Sequence, residues 1–285
     1  MVKEVSSSGG TLRVIGALHS PNDGAMCEGE GSVMVSLVNL SRIHSMDPAT
    51  GLVDVDAGCT LTTLCEALDG VGLALPSLGS IVEQTIGGCM STGTHGTGIR
   101  FGVLSRSIVR VELVNGEGEV VALTPGEGGL PFRAALCSLG VLGVVTRVTL
   151  QAVPAFDLDM EYNPATLEET LVGVAGRVAA SPYYRFWWIP HTGRVWEWAA
   201  RPVPPATTAA GGGWGLVAAL SSTAAWFWDS LVGYHTLQAL IRTSQFFPAT
   251  LPYINSLYAF LFFRRGYKRT VPSRLGFTFN CLFKQ

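Results

Sequence analysis

Lysine is almost missing from this chain, with none between Lys3 and Lys268. A nucleotide P-loop of the form GxxxxGK[ST] needs a lysine to reach the phosphates, so that class of site is excluded. Basic charge is scarce too. With 19 Lys and Arg and a net charge of -2, nothing argues for nucleic acid as a partner, because phosphate neutralisation carries that affinity. The six cysteines show neither CxxC spacing nor a paired histidine pattern, which leaves out a zinc site and a redox dithiol. Reduced thiols inside a cell are the simplest reading. The opening MVKEVSSSGG has no apolar core segment, so no secretory signal is read there, and no internal repeat is visible.

Glycine is abundant. Thirty-four glycines and 48% hydrophobic residues in 285 suit a chain that buries a sizeable core and makes many tight turns around a ligand. The densest stretch is LPSLGSIVEQTIGGCMSTGTHGTG, Leu75 to Gly98, where glycines alternate with serines and threonines and let backbone amides approach a polyanion. A dinucleotide GxGxxG does not fit, since Gly93, Gly96 and Gly98 come in the wrong order. A glycine-rich surface loop is the plain alternative.

Upstream, LRVIGALHSPND, Leu12 to Asp23, reads as a buried strand ending at Gly16 and running into a loop with His19 and Ser20. A histidine there can hydrogen-bond a ligand or be covalently joined to one. Taken alone, a histidine in a turn is more often a solvated loop residue.

Together the segments carry a resemblance. The order strand, G-x-x-H-S-P-x-D, hairpin, LGSIVEQTIGG, then S-T-G-T-H-G-T-G resembles the FAD-binding domain of the aldonolactone oxidases, among the vanillyl-alcohol-oxidase-like flavoproteins. SLGVLGVVTRVTLQAVPAF (Ser138 to Phe156) and YRFWWIPHTGRV (Tyr184 to Val195) extend it over nearly the whole chain. It implies an α+β fold, with a PCMH-type FAD-binding domain of two α/β subdomains followed by part of an α+β substrate-binding cap. The implied activity is FAD-dependent oxidation of a sugar 1,4-lactone, D-arabinono- or L-gulono-, with oxygen as acceptor. The products would be an ascorbate-type compound and hydrogen peroxide.

The resemblance also assigns residues. His19 matches the histidine that many members bond covalently to the flavin, with Gly16 and Ser20 in the same motif; Ala17 and Leu18 depart from its usual glycines. Ser80, Thr85, Gly88, Ser91, Thr92 and Gly93 match positions whose hydroxyls and amides meet the pyrophosphate, ribityl chain and ring. His95 and Val145 match further flavin neighbours, His95 being equally readable as a structural histidine. Gly79 matches the residue beside the flavin carbon that reacts with oxygen, where glycine goes with oxidases and alanine with dehydrogenases, although a turn with positive φ would also demand glycine.

The organisation expected is an FAD-binding domain over residues 1–151 and a partial cap over 152–285. In the first, Arg42–Asp47 and Leu52–Asp56 read as a hairpin around DPATG, and Thr60 caps a helix carrying Leu61, Leu64, Cys65 and Leu68. Ile108–Val114 and Glu119–Leu123 flank NGEG as a second hairpin, with a short helix near Pro131–Leu136 and a strand Val144–Gln151 after it. In the second, aromatics crowd between Tyr183 and Trp198, which reads first as core. AARPVPPATTAAGGG, after Trp198, reads as an exposed linker.

From Trp214 to Phe263 the only formal charges are Asp229 and Arg242. A spanning helix needs about 20 apolar residues, and Leu216–Trp228 is shorter, while Pro248 and Pro252 break the later part of the segment. A span, an interfacial contact with a membrane, and a buried or dimer face all stay open. An intracellular protein, soluble or membrane-associated, is expected.

The resemblance further implies a chain short at both ends. Relatives begin with a segment that helps bind the adenine end of FAD and end with a histidine-tryptophan-alanine-lysine motif, and no histidine here precedes a tryptophan. The catalytic residues are therefore expected outside this chain. The rival reading is a catalytically inactive flavin-binding or membrane-associated remnant.

Overall fold

The computed structural model describes residues 1–126, 130–205 and 235–276, and the chain divides into two compact units. The first comprises Met1–Gly96 and Arg100–Ala155; the second comprises Thr97–Ile99 and the chain from Phe156 onward.

The first unit opens with helix α1 (Val2–Ser7), in a polar segment that carries no sequence signal for a helix. Strand β1 (Leu12–Ile15) pairs in parallel with β2 (Val33–Ser36), from Leu12 opposite Val33 to Ile15 opposite Ser36. All four residues of β1 are half-buried, which corrects the expectation of a buried strand. A two-stranded ribbon covers only part of each residue, whatever its side chains.

Next comes a five-stranded antiparallel sheet, in the order β3 (Ile43–Met46), β4 (Leu52–Asp56), β8 (Val144–Gln151), β6 (Ile108–Val114), β7 (Val120–Leu123). Both expected hairpins are present. In the first, Asp47 accepts from the Ala49 amide (2.9 Å) and the Thr50 hydroxyl (2.6 Å), and Gly51 takes φ +72°. An aspartate hydrogen-bonded two residues ahead holds such a turn.

One face of the sheet buries Val53, Val55, Val111, Val148 and Leu150. The alternate residues form polar pairs, half-exposed in two cases: Arg147 clasps Asp54 with Nε 2.9 Å from Oδ1 and Arg110 reaches Glu112 at 2.9 Å, while His44 Nε2 meets the buried Asp56 at 2.7 Å. Period-two alternation of this kind marks a sheet with one dry face and one wet face. Pairs in water contribute at most about 1 kcal/mol each, so the apolar face dominates.

Helix α2 (Leu61–Gly70) starts where Thr60 Oγ1 accepts from the Thr63 amide at 3.2 Å, and it buries Leu61, Leu64, Cys65 and Leu68 as the spacing predicts. Strand β5 (Leu73–Ala74) pairs with β9 (Val153–Pro154), helix α3 is Ile86–Ser91, and helix α4 is Leu130–Ala135.

The second unit is a four-stranded antiparallel sheet in the order β11 (Tyr183–Ile189), β12 (Arg194–Val203), β10 (Asp157–Thr166), β13 (Tyr267–Pro272). Strand β12 includes Ala199 to Val203, so the first third of the expected linker is sheet, paired with Asp157–Glu161. Ala-Ala-Arg-Pro-Val has no period of its own, and ladder pairing with Asp157–Glu161 decides. The rest of that stretch from 206 on, and the apolar segment up to 234, lie outside the described residues.

Tyr183, Trp196 and Trp198 are buried, in keeping with the aromatic run as core. The Arg185 guanidinium lies 4.8 Å from the Trp187 ring and 4.3 Å from the Trp198 ring, and burial pushes its pKa down to about 10. Helix α5 (Leu167–Ala180) begins with a capping box in which Thr166 and Glu169 satisfy each other's amides. Helices Leu237–Phe246 and Leu251–Phe262 precede β13. Among the described residues no helix is long and apolar enough to cross a membrane.

Cys59 and Cys89 are buried, and burial pushes both thiols up to about 11, with the Asp56 carboxylate adding to the effect at Cys59. At pH 8 a maleimide should label exposed Cys137 and leave Cys59 and Cys89 unmodified until urea is added, as mass mapping would report. The folded chain holds these thiols protonated while the unfolded chain releases its protons near pH 9.0. Their contribution is thus full below pH 9 and falls as pH rises from about 9 to 11, so urea midpoints should drop over that window.

Candidate cofactor site

Main-chain hydrogen bonds lay the segment before α3 against the segment before α2. Leu61 and Thr62 donate to the carbonyls of Gln84 and Val82 (both 2.9 Å), and Ile86 and Gly87 donate to those of Cys59 and Ala57 (both 2.8 Å). A Cβ on Gly87 would stand 2.9 Å from both Ala57 Cβ and its carbonyl oxygen, so this approach requires glycine. It fixes the start of α3, where Thr85 Oγ1 accepts from the Gly88 amide at 3.3 Å.

The end of β1 reaches the same point, for a Cβ on Gly16 would fall 2.1 Å from Thr85 Oγ1. The loop beyond it carries Leu18 at φ +57°, a conformation rare for a leucine, with the side chain turned largely to solvent. His19 is half-buried and Ser20 exposed. Gly79 is buried and its φ lies outside the positive range, so no turn demands glycine there; an added Cβ would sit 3.1 Å from Thr94 Cγ2.

The remaining expected residues gather at the other end of α3. Thr92 Oγ1 donates to the Gly88 carbonyl at 2.9 Å, and the Ser91 carbonyl accepts from Leu139 at 3.0 Å. Gly93 has φ +66° and would bring a Cβ within 3.3 Å of Cys137 Sγ. His95 is exposed, its Nδ1 2.9 Å from the carbonyl of Gly96. Val145 is buried on β8 opposite Leu113, beside a break in register, and α3 contacts that strand.

The donors form two groups. The hydroxyls of Thr85 and Thr92 already serve the helix, whereas those of Ser20, Ser80 and Ser91 have no partner among the described residues. Among those residues the amides of Ala17, Leu18, His19, Ser20, Gly79 and Ser80 likewise donate to no protein acceptor. Unpaired amides and hydroxyls on glycine-rich loops are the donor set that an anionic nucleotide cofactor needs. Ser77 Oγ, close by, is buried and orphaned. These residues fit such a group.

Residues 1–124 match a family model described as an FAD binding domain, and residues 148–285 match one described as D-arabinono-1,4-lactone oxidase. The chain belongs to the FAD-dependent aldonolactone oxidase family. L-gulonolactone oxidase of Scyliorhinus torazame is 35% identical over 96% of this chain and 59% of its own length. D-arabinono-1,4-lactone oxidase of Kluyveromyces lactis is 31% identical over 100% of this chain and 53% of its own. The chain thus spans somewhat over half the length of these relatives. The PCMH-type fold is shared with cholesterol oxidase from B. sterolicum, at a TM-score of 0.71 and 17% identity over 99% of this chain and 56% of that one.

Two features escaped the sequence reading. Ser77 lies in the apolar LPSL opening of the glycine-rich stretch, with nothing in the sequence to set it apart from its neighbours. Glu197, within the aromatic run of β12, is buried and accepts from Thr170 Oγ1 (2.8 Å), Tyr184 OH (2.9 Å) and Arg177. A single glutamate between two tryptophans was its only signal.

The Gly16–Thr85 contact yields a double-mutant cycle. Gly16→Ala should cost about 1–3 kcal/mol in urea unfolding, as overpacking does. Adding Thr85→Ala should cost less than the sum of the two single changes, because it removes the atom that the new methyl meets.

Proposed function

We propose that this chain holds FAD and forms part of an enzyme that oxidises a sugar 1,4-lactone, D-arabinono- or L-gulono-, with oxygen as acceptor, giving an ascorbate-type product and hydrogen peroxide. The observation that carries the reading is the coincidence of a matched FAD domain with the unpaired amides of Ala17–Ser20 and Gly79–Ser80. Bound FAD supplies a hydride acceptor for the C–H bond beside the lactone hydroxyl.

The chain's own residues bind and orient. The two rows of amides, with the Ser20, Ser80 and Ser91 hydroxyls, meet the phosphates and the polar edge of the cofactor. Gly88 and Gly93 would leave the backbone around it bare, Thr85 and Thr92 hold α3 in place, and Val145 and His95 are further residues that would help to hold it. His19 is our choice for a covalent link, since its ring is half-buried and has no hydrogen-bond partner among the described residues. Gly79 leaves an approach for oxygen, which its ordinary φ makes a matter of space and not of backbone strain. No side chain of this chain is assigned to take the hydroxyl proton.

The helices before β13 are our choice for a membrane-surface contact. Phe246, Phe247, Tyr253, Leu257, Phe260 and Leu261 are exposed, and the chain from 230 to 285 carries Lys and Arg but no Asp or Glu. Apolar and aromatic side chains beside basic ones suit the headgroup layer of an anionic bilayer.

Acid denaturation of the purified chain tests the cofactor. Yellow absorbance should stay with the polypeptide and be lost from it in His19→Ala; flavin released from the parent would void the covalent link, and a colourless protein would sink the reading.

Flotation with anionic vesicles tests the surface. The chain should rise with the lipid at low salt, and Phe246→Ser with Phe247→Ser should weaken this several-fold. No flotation of the parent chain would exclude the contact.

A further inference from the structure

We infer that the second unit carries a binding site of its own, beside the end of α5, for a small uncharged polyhydroxylated molecule such as a pentose, a hexose or a sugar lactone. The site lies wholly within that unit and does not rest on the FAD reading. Strand register places it. Tyr184, Ala199, Glu161 and Lys268 stand side by side across β11, β12, β10 and β13, and in an adjoining row Arg201 stands opposite Asp159. Residues two apart along a strand share a face, so the nearest neighbours of the Ala199 methyl are the long polar side chains of Tyr184, Glu161, Glu197 and Arg201. The short side chain among long ones leaves a depression of about 290 Å³, near the lower end of the volumes that hold small molecules.

One wall of it is fixed. Helix α5 ends at Ala180, and Ser181 Oγ lies 2.9 Å from the Ala200 carbonyl oxygen, which ties the end of the helix to β12. Glu197 is already engaged by Thr170, Tyr184 and Arg177. The open groups stand across from it. Asp159 Oδ2 and Arg201 Nε are 3.7 Å apart, too far for a hydrogen bond, and neither side chain makes one among the described residues. Lys268 has one carboxylate partner, Glu161 at 3.2 Å. Hydrogen bonds from Asn163 and Lys268 hold the Glu161 carboxyl below its ordinary range, so it stays an ionised acceptor.

The charges select the class of ligand. Three carboxylates (Asp159, Glu161, Glu197) and three cations (Arg177, Arg201, Lys268) line the depression. An anion or a cation would be attracted by one set and repelled by the other. A hydroxyl donates to a carboxylate and accepts from a guanidinium or an ammonium, so it is served by both. One hydroxyl between Asp159 and Arg201 would complete both groups, and neighbouring hydroxyls on a sugar ring would repeat the exchange at Glu161 and Lys268.

Titration calorimetry of the purified chain with D-glucose, with L-gulono-1,4-lactone and with inorganic phosphate tests the site. Either uncharged probe should bind at millimolar concentration, and phosphate should bind at least about tenfold more weakly. Ala199→Leu fills the depression and Arg201→Gln removes a charged donor; each should weaken binding of the uncharged probe about tenfold, the value of one hydrogen bond. Arg201 is largely exposed, so Arg201→Gln keeps the test decisive should Ala199→Leu fail to fold, which circular dichroism reads. No heat with either uncharged probe, or binding that Arg201→Gln leaves unchanged, would overturn the site. Phosphate bound as tightly as the sugar or the lactone would overturn the ligand class. Turnover is not the readout, so a failure of the FAD reading would leave these outcomes as they stand.

Discussion

Four main-chain hydrogen bonds between residues 57–62 and 82–87 hold two loop segments so close that no Cβ fits between Gly87 and Ala57. Gly58 repeats the constraint, for a Cβ there would stand 1.9 Å from the Leu37 carbonyl oxygen. Side chains can turn aside from a clash of this size, but backbone carbonyls inside a hydrogen-bonded network cannot. The start of α3 is therefore located by backbone, and Thr85 with it. Gly16 then meets Thr85, and the loop carrying His19 leaves from a point already set.

That arrangement explains why the polar loops can stay open. Each amide pairing contributes about 1 kcal/mol net, so the framework below the loops is secured without them. Among the described residues Ala17–Ser20 and Gly79–Ser80 keep their amides unpaired, at a cost that an anionic ligand would offset. Leu18 at positive φ adds local strain at the same place.

The second unit rests on side chains instead. Trp198, Tyr183 and Met160 fill one side of its sheet, with Arg185 placed against two indole rings, while Glu197 gathers Thr170, Arg177 and Tyr184 on the helix-covered side. Burial and the Glu197 carboxylate both push the Tyr184 phenol up, so it remains a donor to that carboxylate at any ordinary pH. The outward apolar faces of the two late helices are a different matter, since no packing explains them.

Much of the first unit was legible in the residues. Thr60 before Leu61, the DPATG turn and the alternation in β4, β6 and β8 specify local structure through propensity, capping and period, all of which act within a few residues. The resemblance located the loops, because its motifs are runs of adjacent residues. Missed were facts that depend on distant partners: that β1 is only half covered, that Ala199–Val203 extend a strand, and that Glu197 is buried.

The sequence by itself determined where the chain turns, where helices start, and which stretches are glycine-rich and hydroxylic. Only the tertiary structure decided which of those hydroxyls are already used. Thr85 and Thr92 serve α3, whereas Ser80, Ser91 and the unlooked-for Ser77 keep theirs unpaired among the described residues. The reason is that a hydrogen bond needs a partner within about 3 Å, and which backbone comes that close depends on chain segments far apart in sequence.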